Sequence, residues 1–202
     1  MRKILVMAAL IIGVIGCGKD ENSATGDYPE IVGTWRIVDS EVGGKRTSQI
    51  PNLTEADRQA NHCINSSVFK FLANGDIRGV YYVSSVDPKK NNEKYYGFSS
   101  YAECYPLFDF DEAATEGSVK YKIREKKIII YGKSNDGSSG EVEFFNIESL
   151  SGRTLKLSYS EEMKRGMRST YEQGKQFLQQ HNLELPVHMN VIMNGFIIME
   201  KQ

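Results

Sequence analysis

Phe69-Lys70-Phe71-Leu72-Ala73-Asn74-Gly75-Asp76-Ile77 reads as a β-hairpin. Phe69 and Phe71 alternate with Lys70, Asn74-Gly75 offers the residues that tolerate φ > 0, and a second extended run follows from Ile77 to Val83. The same pattern spreads in both directions. Upstream, Trp35 and Ile37 share one strand face while Arg36 takes the other, and Gly43-Gly44 ends the strand. Downstream, Tyr95 to Tyr101 form a weaker strand, and Val119, Tyr121 and Ile123 lead through a charged turn at Glu125-Lys126 into Ile128 to Tyr131. Val142 to Leu150 and Thr154 to Tyr159 then flank Ser151-Gly152, with Leu155 and Leu157 on one face. Strands joined by short turns pair with their sequence neighbours, so the pattern predicts an antiparallel meander.

Three regions depart from this pattern. Between Gly43 and Asn65 a loop is expected, with one helical turn where Thr54 caps Glu55 to Asn61. Asp87 to Lys94 and Ser134 to Gly140 read as polar loops. From Glu161 to His181, Met163, Met167, Tyr171 and Leu178 fall on one helical face, and Ser160 can cap an acidic first turn. Gly166 and Gly174 near that stripe suggest close approach to a sheet. Pro186 ends the helical stretch, and Val191 to Met199 read as a last strand with a bulge at Asn194-Gly195.

Gly33-Thr34-Trp35 resembles the Gly-x-Trp signature that opens the first strand of lipocalins. With the meander, the Phe-x-Phe hairpin and a helix before the last strand, the chain from Pro29 to Gln202 resembles the lipocalin-like domain of bacterial lipoproteins. The resemblance implies a mainly β fold, an up-and-down antiparallel β-barrel of about eight strands over residues 30–202, with one amphipathic helix before the last strand. It implies that Trp35 plugs the closed end, and that the interior is either filled by side chains or holds one small ligand. Cys63 and Cys104 match a pair flanking the same hairpin. The Thr-Asp-Tyr type turn of lipocalins is not found, and the last strand has no Arg to stack over the Trp.

The first residues carry a location signal. Arg2 and Lys3 precede an apolar run, Ile4 to Ile15, that is well short of the roughly 20 residues of a spanning helix. Val14-Ile15-Gly16-Cys17 resembles the lipobox of bacterial lipoproteins, which implies a signal peptide over residues 1–16 and acylation of Cys17 by a diacylglyceryl group and an N-acyl chain, such as palmitate. More than one buried chain makes such anchoring stable. Gly18-Lys19-Asp20-Glu21 resembles the lysine-plus-acidic tag that moves some lipoproteins to the cell surface, and read physically it is a solvated, charged linker. Residues 17–29 are expected to form a lipidated flexible tether. The expected location is the outer membrane, exposed at the cell surface or otherwise on the periplasmic face.

Loss of Arg2 and Lys3 with the signal leaves 23 basic against 26 acidic residues, a formal charge near −3. This weakly acidic balance excludes nucleic acid as the expected partner. The remaining 186 residues suit one domain. With Cys17 acylated, Cys63 and Cys104 are left as an even pair, most simply a disulfide in an exported protein. The competing reading is a metal site with His62 beside Cys63, but two thiols and the scattered His181 and His188 make a poor ligand set.

No catalytic constellation stands out, and neither enzyme activity nor a cofactor or metal is expected. Gly132 to Gly140 opens no helix and lacks the context of a phosphate loop. Asp109, Asp111, Glu112 and Glu116 read as a solvated loop in preference to a calcium site. Tyr81, Tyr82, Tyr95, Tyr96, Phe98 and Tyr101 cluster in two neighbouring strands, where aromatics either pack across strands or line a mouth. Trp35, Tyr81, Tyr82, Tyr96 and Phe98 are the candidate ligand-binding residues. The expected function is a membrane-anchored, non-enzymatic lipoprotein whose lipocalin-like module binds a small apolar or aromatic ligand. The alternative is an interaction or scaffold module with a filled barrel that binds another envelope protein or a glycan.

Overall fold

The alternating runs form one curled antiparallel sheet in the computed structural model, which describes residues 24–53, 55–85, 103–134, 137–180 and 187–202. The strands are β1 (Gly33–Val42), β2 (Lys45–Arg46), β3 (Val68–Phe71), β4 (Ile77–Ser85), β5 (Glu103–Asp109), β6 (Gly117–Arg124), β7 (Lys127–Ser134), β8 (Ser139–Ser151), β9 (Thr154–Tyr159) and β10 (Phe196–Lys201). The helices are α1 (Glu55–Asn65), α2 (Phe110–Glu116), α3 (Glu161–Gln180) and α4 (Val187–Asn194). The sheet order is β5-β4-β3-β1-β10-β9-β8-β7-β6, with β2 paired to β1. Consecutive strands therefore lie side by side, and pairing of β1 with β10 joins the two ends of the chain. This is the up-and-down arrangement the sequence predicts, with ten strands once the two-residue β2 is counted.

The seam between β5 and β6 is spanned by a helix. Asp109 caps α2, its carboxylate accepting the amide protons of Asp111 at 3.0 Å and Glu112 at 2.9 Å. Phe110 points into the core, 6.0 Å from Phe69 and from Phe144 between ring centroids. The acidic run expected as a loop is thus helical: Asp109, Asp111 and Glu112 sit around an N-terminus that favours negative charge, and one aromatic anchors it. Beyond α2 the described residues of the two sides meet at the bridge of Asp76 to Lys120, and Tyr121 O–H donates to the Leu72 carbonyl at 3.0 Å.

Among the described residues, four β-bulges bend the sheet. Pairing skips one residue at Val38, Leu107, Phe144 and Glu148. An extra residue in one strand increases local twist and re-aims side chains. At Phe144 it lets two successive residues, Phe144 and Phe145, both turn inward with their rings 4.6 Å apart.

Other elements differ from expectation in detail. The Asn74-Gly75 turn carries positive φ only at Gly75, because the Leu72 carbonyl accepts from Gly75 N–H and the chain turns one residue earlier. Helix α1 has eleven residues instead of one turn, since Ala60, Cys63 and Ile64 give it a buried face. Its expected cap, Thr54, lies outside the described residues. Helix α3 starts as expected, with Met163 N–H on Ser160 Oγ at 3.0 Å. Gly166 on that helix is exposed, and a Cβ there would meet nothing within 4 Å, so no close approach depends on it. The expected single strand from Val191 is instead the end of α4 followed by β10. Gly195 breaks the two apart, passing so close to β1 that a Cβ would lie 2.4 Å from the Glu41 carbonyl oxygen. The strand expected at Tyr95 to Tyr101 and the loop from Asp87 lie outside the described residues.

Cys63 of α1 and Cys104 of β5 are bridged, with Cα atoms 5.0 Å apart at a sequence separation of 41.

Candidate functional site

Strand directions divide the barrel into two ends. The Trp35 end holds the turns after β3, β6 and β8 and the last residues of the chain, while the far end holds the turn after β1, the end of β7 and the start of α3. Pairing places Trp35 between Lys201 on β10 and Phe69 on β3. The indole is fully enclosed, and its Nε1–H donates to the Ile31 carbonyl at 2.6 Å. Lys201 Nζ lies 5.4 Å from the Trp35 ring centroid and donates to the Glu30 carbonyl at 2.7 Å. A cation over an indole face is favourable, so Lys201 adds to the enclosure of Trp35. Gly33, at φ +141°, makes room for its stem: a Cβ there would lie 2.5 Å from Lys201 Cε. Arg153 then holds the Lys201 carbonyl with its guanidinium at 2.8 Å.

Behind Trp35 the interior is aromatic. Phe69 is 6.0 Å from Tyr81 and 6.1 Å from Phe145, Tyr81 is 6.2 Å from Phe108, Phe108 is 4.7 Å from Phe144, and Phe71 is 5.0 Å from Tyr121. Ile37, Leu155 and Leu157 are wholly buried in the same cluster. Edge-to-face contacts dominate, as ring quadrupoles favour. Two phenols meet inside, with Tyr159 O–H donating to the Tyr81 hydroxyl oxygen.

Burial pushes the Tyr81 hydroxyl up to about 12, and does the same for Tyr121. Tyr159 is raised well above 10 by burial first, and then by Tyr81 beside it. A tyrosine in an unfolded chain ionises near 10, so between about pH 10 and 12 the unfolded state holds fewer protons. These three groups stabilise the fold fully below pH 10, and their contribution is lost as pH rises, at about 1.4 kcal/mol per group and pH unit. We expect absorbance at 295 nm to show three of the eleven tyrosines ionising only together with loss of near-ultraviolet dichroism. Ionisation of all tyrosines near pH 10 with the dichroism intact would contradict this placement.

Of the candidate ligand residues, Trp35 and Tyr81 come together inside the core cluster. Tyr82 alternates to the other face and is half-buried, its amide donating to Ser67 Oγ at 2.8 Å. Tyr96, Phe98 and Cys17 lie outside the described residues. The sequence reading overlooked Lys201, Phe110, Phe144 and Tyr159. A lysine at the end of an apolar last strand was a usable signal for the first, whereas Phe144 depends on a bulge that period-two counting cannot foresee.

A second polar group was also overlooked. Asp39 is buried, and its Oδ1 accepts from Ser40 N–H at 2.9 Å and Thr47 O–H at 2.9 Å, while its Oδ2 accepts from Ser48 O–H at 2.5 Å. Burial raises its pKa, but the hydrogen bonds from Ser48, Ser40 and Thr47 outweigh that and hold the carboxyl below its ordinary value. Its role is to tie residues 47–49 to β1. Among the described residues, no three His, Cys, Asp or Glu side chains converge as a metal-binding group. No helix among them is long and apolar enough to cross a membrane. One depression, lined by Gly26, Asp27, Tyr28 and residues 123–126, opens at the surface of the Trp35 end and lies outside the aromatic interior.

Comparison with protein-family models, curated proteins and solved structures returned no match to this chain.

Proposed function

We propose that this protein is a bacterial outer-membrane lipoprotein, anchored through acylated Cys17, whose barrel is a non-enzymatic interaction module for another envelope protein or a glycan. The observation that carries the choice is the aromatic interior: Trp35, Phe69, Phe71 and Tyr81 are each at most 1 % exposed and packed ring against ring. A carrier of a small apolar ligand needs a void of several hundred Å³ beside such residues. Among the described residues these positions are filled by packed rings, which favours recognition at the outer surface and the loops. The Lys19-Asp20-Glu21 segment supports display at the cell surface.

Two measurements test this reading. Cys17→Ser should move the protein from the membrane to the soluble fraction, and retention in the membrane after that change would remove the anchor. Native mass spectrometry of the lipoprotein purified from its own cells should give the mass of the acylated chain alone. A retained small molecule would instead favour ligand carriage.

A further inference from the structure

We propose that residues 24–28 form a clasp that turns the Trp35 end of the barrel toward the lipid surface and presents the far end outward; this rests on Cys17 being the acylated residue. The Ala24 carbonyl accepts from Ile123 N–H at 2.8 Å, which lays the incoming chain along β6. Ala24 and Tyr28 pack against the core, Thr25 is buried, and Tyr28 N–H closes a turn on the Thr25 carbonyl at 2.9 Å. Gly26 lies so near the same strand that a Cβ would sit 3.0 Å from the Ile123 carbonyl oxygen. The chain is therefore committed to the barrel at Ala24, five residues before the tether was expected to end.

Length makes this an orientation device. The seven residue steps from Cys17 to Ala24 span at most about 25 Å. Strand β8 runs from Ser139 at the far end to Ser151 at the Trp35 end, thirteen residues or about 40 Å along the strand, which at the usual tilt of about 35–45° is about 30 Å of height. A leash shorter than the body it holds, fixed at one end of that body, keeps the far end off the bilayer. The turn at Gly43-Gly44, the start of α3 and the junction of α4 with β10 then face a partner, while the turns at Glu125-Lys126 and Gly152 face lipid.

The test uses the full acylated chain in phosphatidylethanolamine–phosphatidylglycerol vesicles carrying an acceptor-labelled lipid. With Cys17 acylated and Cys63 bridged to Cys104, a cysteine introduced as Ser151→Cys or Ser139→Cys is the one free thiol for a donor dye. Both positions are exposed, so neither change disturbs the core. Energy transfer to the vesicle should be about twofold or more stronger from position 151 than from 139. A Gly-Ser insert of about 16 residues between Ser23 and Ala24 should bring the two toward equality, because a longer coil no longer limits reach. Equal or reversed transfer in vesicle-bound protein, or a ratio indifferent to the insert, would overturn the clasp. Failure of the protein to float with vesicles would instead overturn the anchor beneath it.

Discussion

Trp35→Ala is expected to cost about 3–5 kcal/mol, the range for removing a large aromatic from a packed core. The indole is fully enclosed on β1 opposite β10, so its loss opens a cavity where the first and last strands of the chain are paired. It also orphans the Ile31 carbonyl and takes away the ring beneath Lys201. Trp35→Phe separates these contributions: it keeps much of the apolar volume and loses the indole N–H bond, so a cost of about 1–2 kcal/mol is expected. Both are measured by urea unfolding of a form that begins at Gly18, followed by far-ultraviolet dichroism because Trp35 is the only tryptophan. A Trp35→Ala midpoint within about 1 kcal/mol of the parent would show that this end of the barrel does not depend on the ring.

Removing the bridge by Cys63→Ala with Cys104→Ala should destabilise by about 3–4 kcal/mol, from the added freedom of an unfolded chain whose closed loop holds about 40 residues. For a domain of this size that lowers the melting temperature by roughly 10 °C. The bridge joins α1 to β5 across the β3–β4 hairpin, so its loss frees an edge strand held on its described side by β4 alone. Reductant acting on the parent should reproduce the shift. A melting temperature unchanged by both treatments would mean that packing of the wholly buried Cys63 side chain, and not the covalent link, holds α1 in place.

Much of the architecture was legible because strand and turn chemistry are local. The reversal at Glu125-Lys126 reappears as two residues at φ 50° and 64°, the geometry a two-residue hairpin turn demands. Ser160 caps α3 where its position before an acidic turn said it should. Period-two alternation placed Ile37, Phe69, Phe71, Leu155 and Leu157 on a common inner face, and an even pair of cysteines, with Cys17 set aside, anticipated the disulfide. Each of these inferences uses residues within a few positions of one another, or a count.

What escaped the sequence is what distant strands impose on each other. Asp109 to Glu116 looks like a solvated loop until β5 and β6 are seen to lack each other as partners, and then a short helix with Phe110 inward is what covers the seam. Val191 to Met199 is apolar enough for a strand, yet its first half is helical because Gly195 must pass close over β1 and Val191 packs beneath it. Phe144 faces inward only because a bulge opposite β7 shifts the register by one. Lys201 reaches Trp35 through a pairing of residues 166 positions apart in the chain. Sequence by itself therefore determined the strands, their turns and the cysteine pair, since backbone preference and alternation act locally. Tertiary structure alone decided the filling of the interior, the closing of the seam and the docking of residues 24–28, since these depend on which surfaces remain uncovered once the sheet has curled.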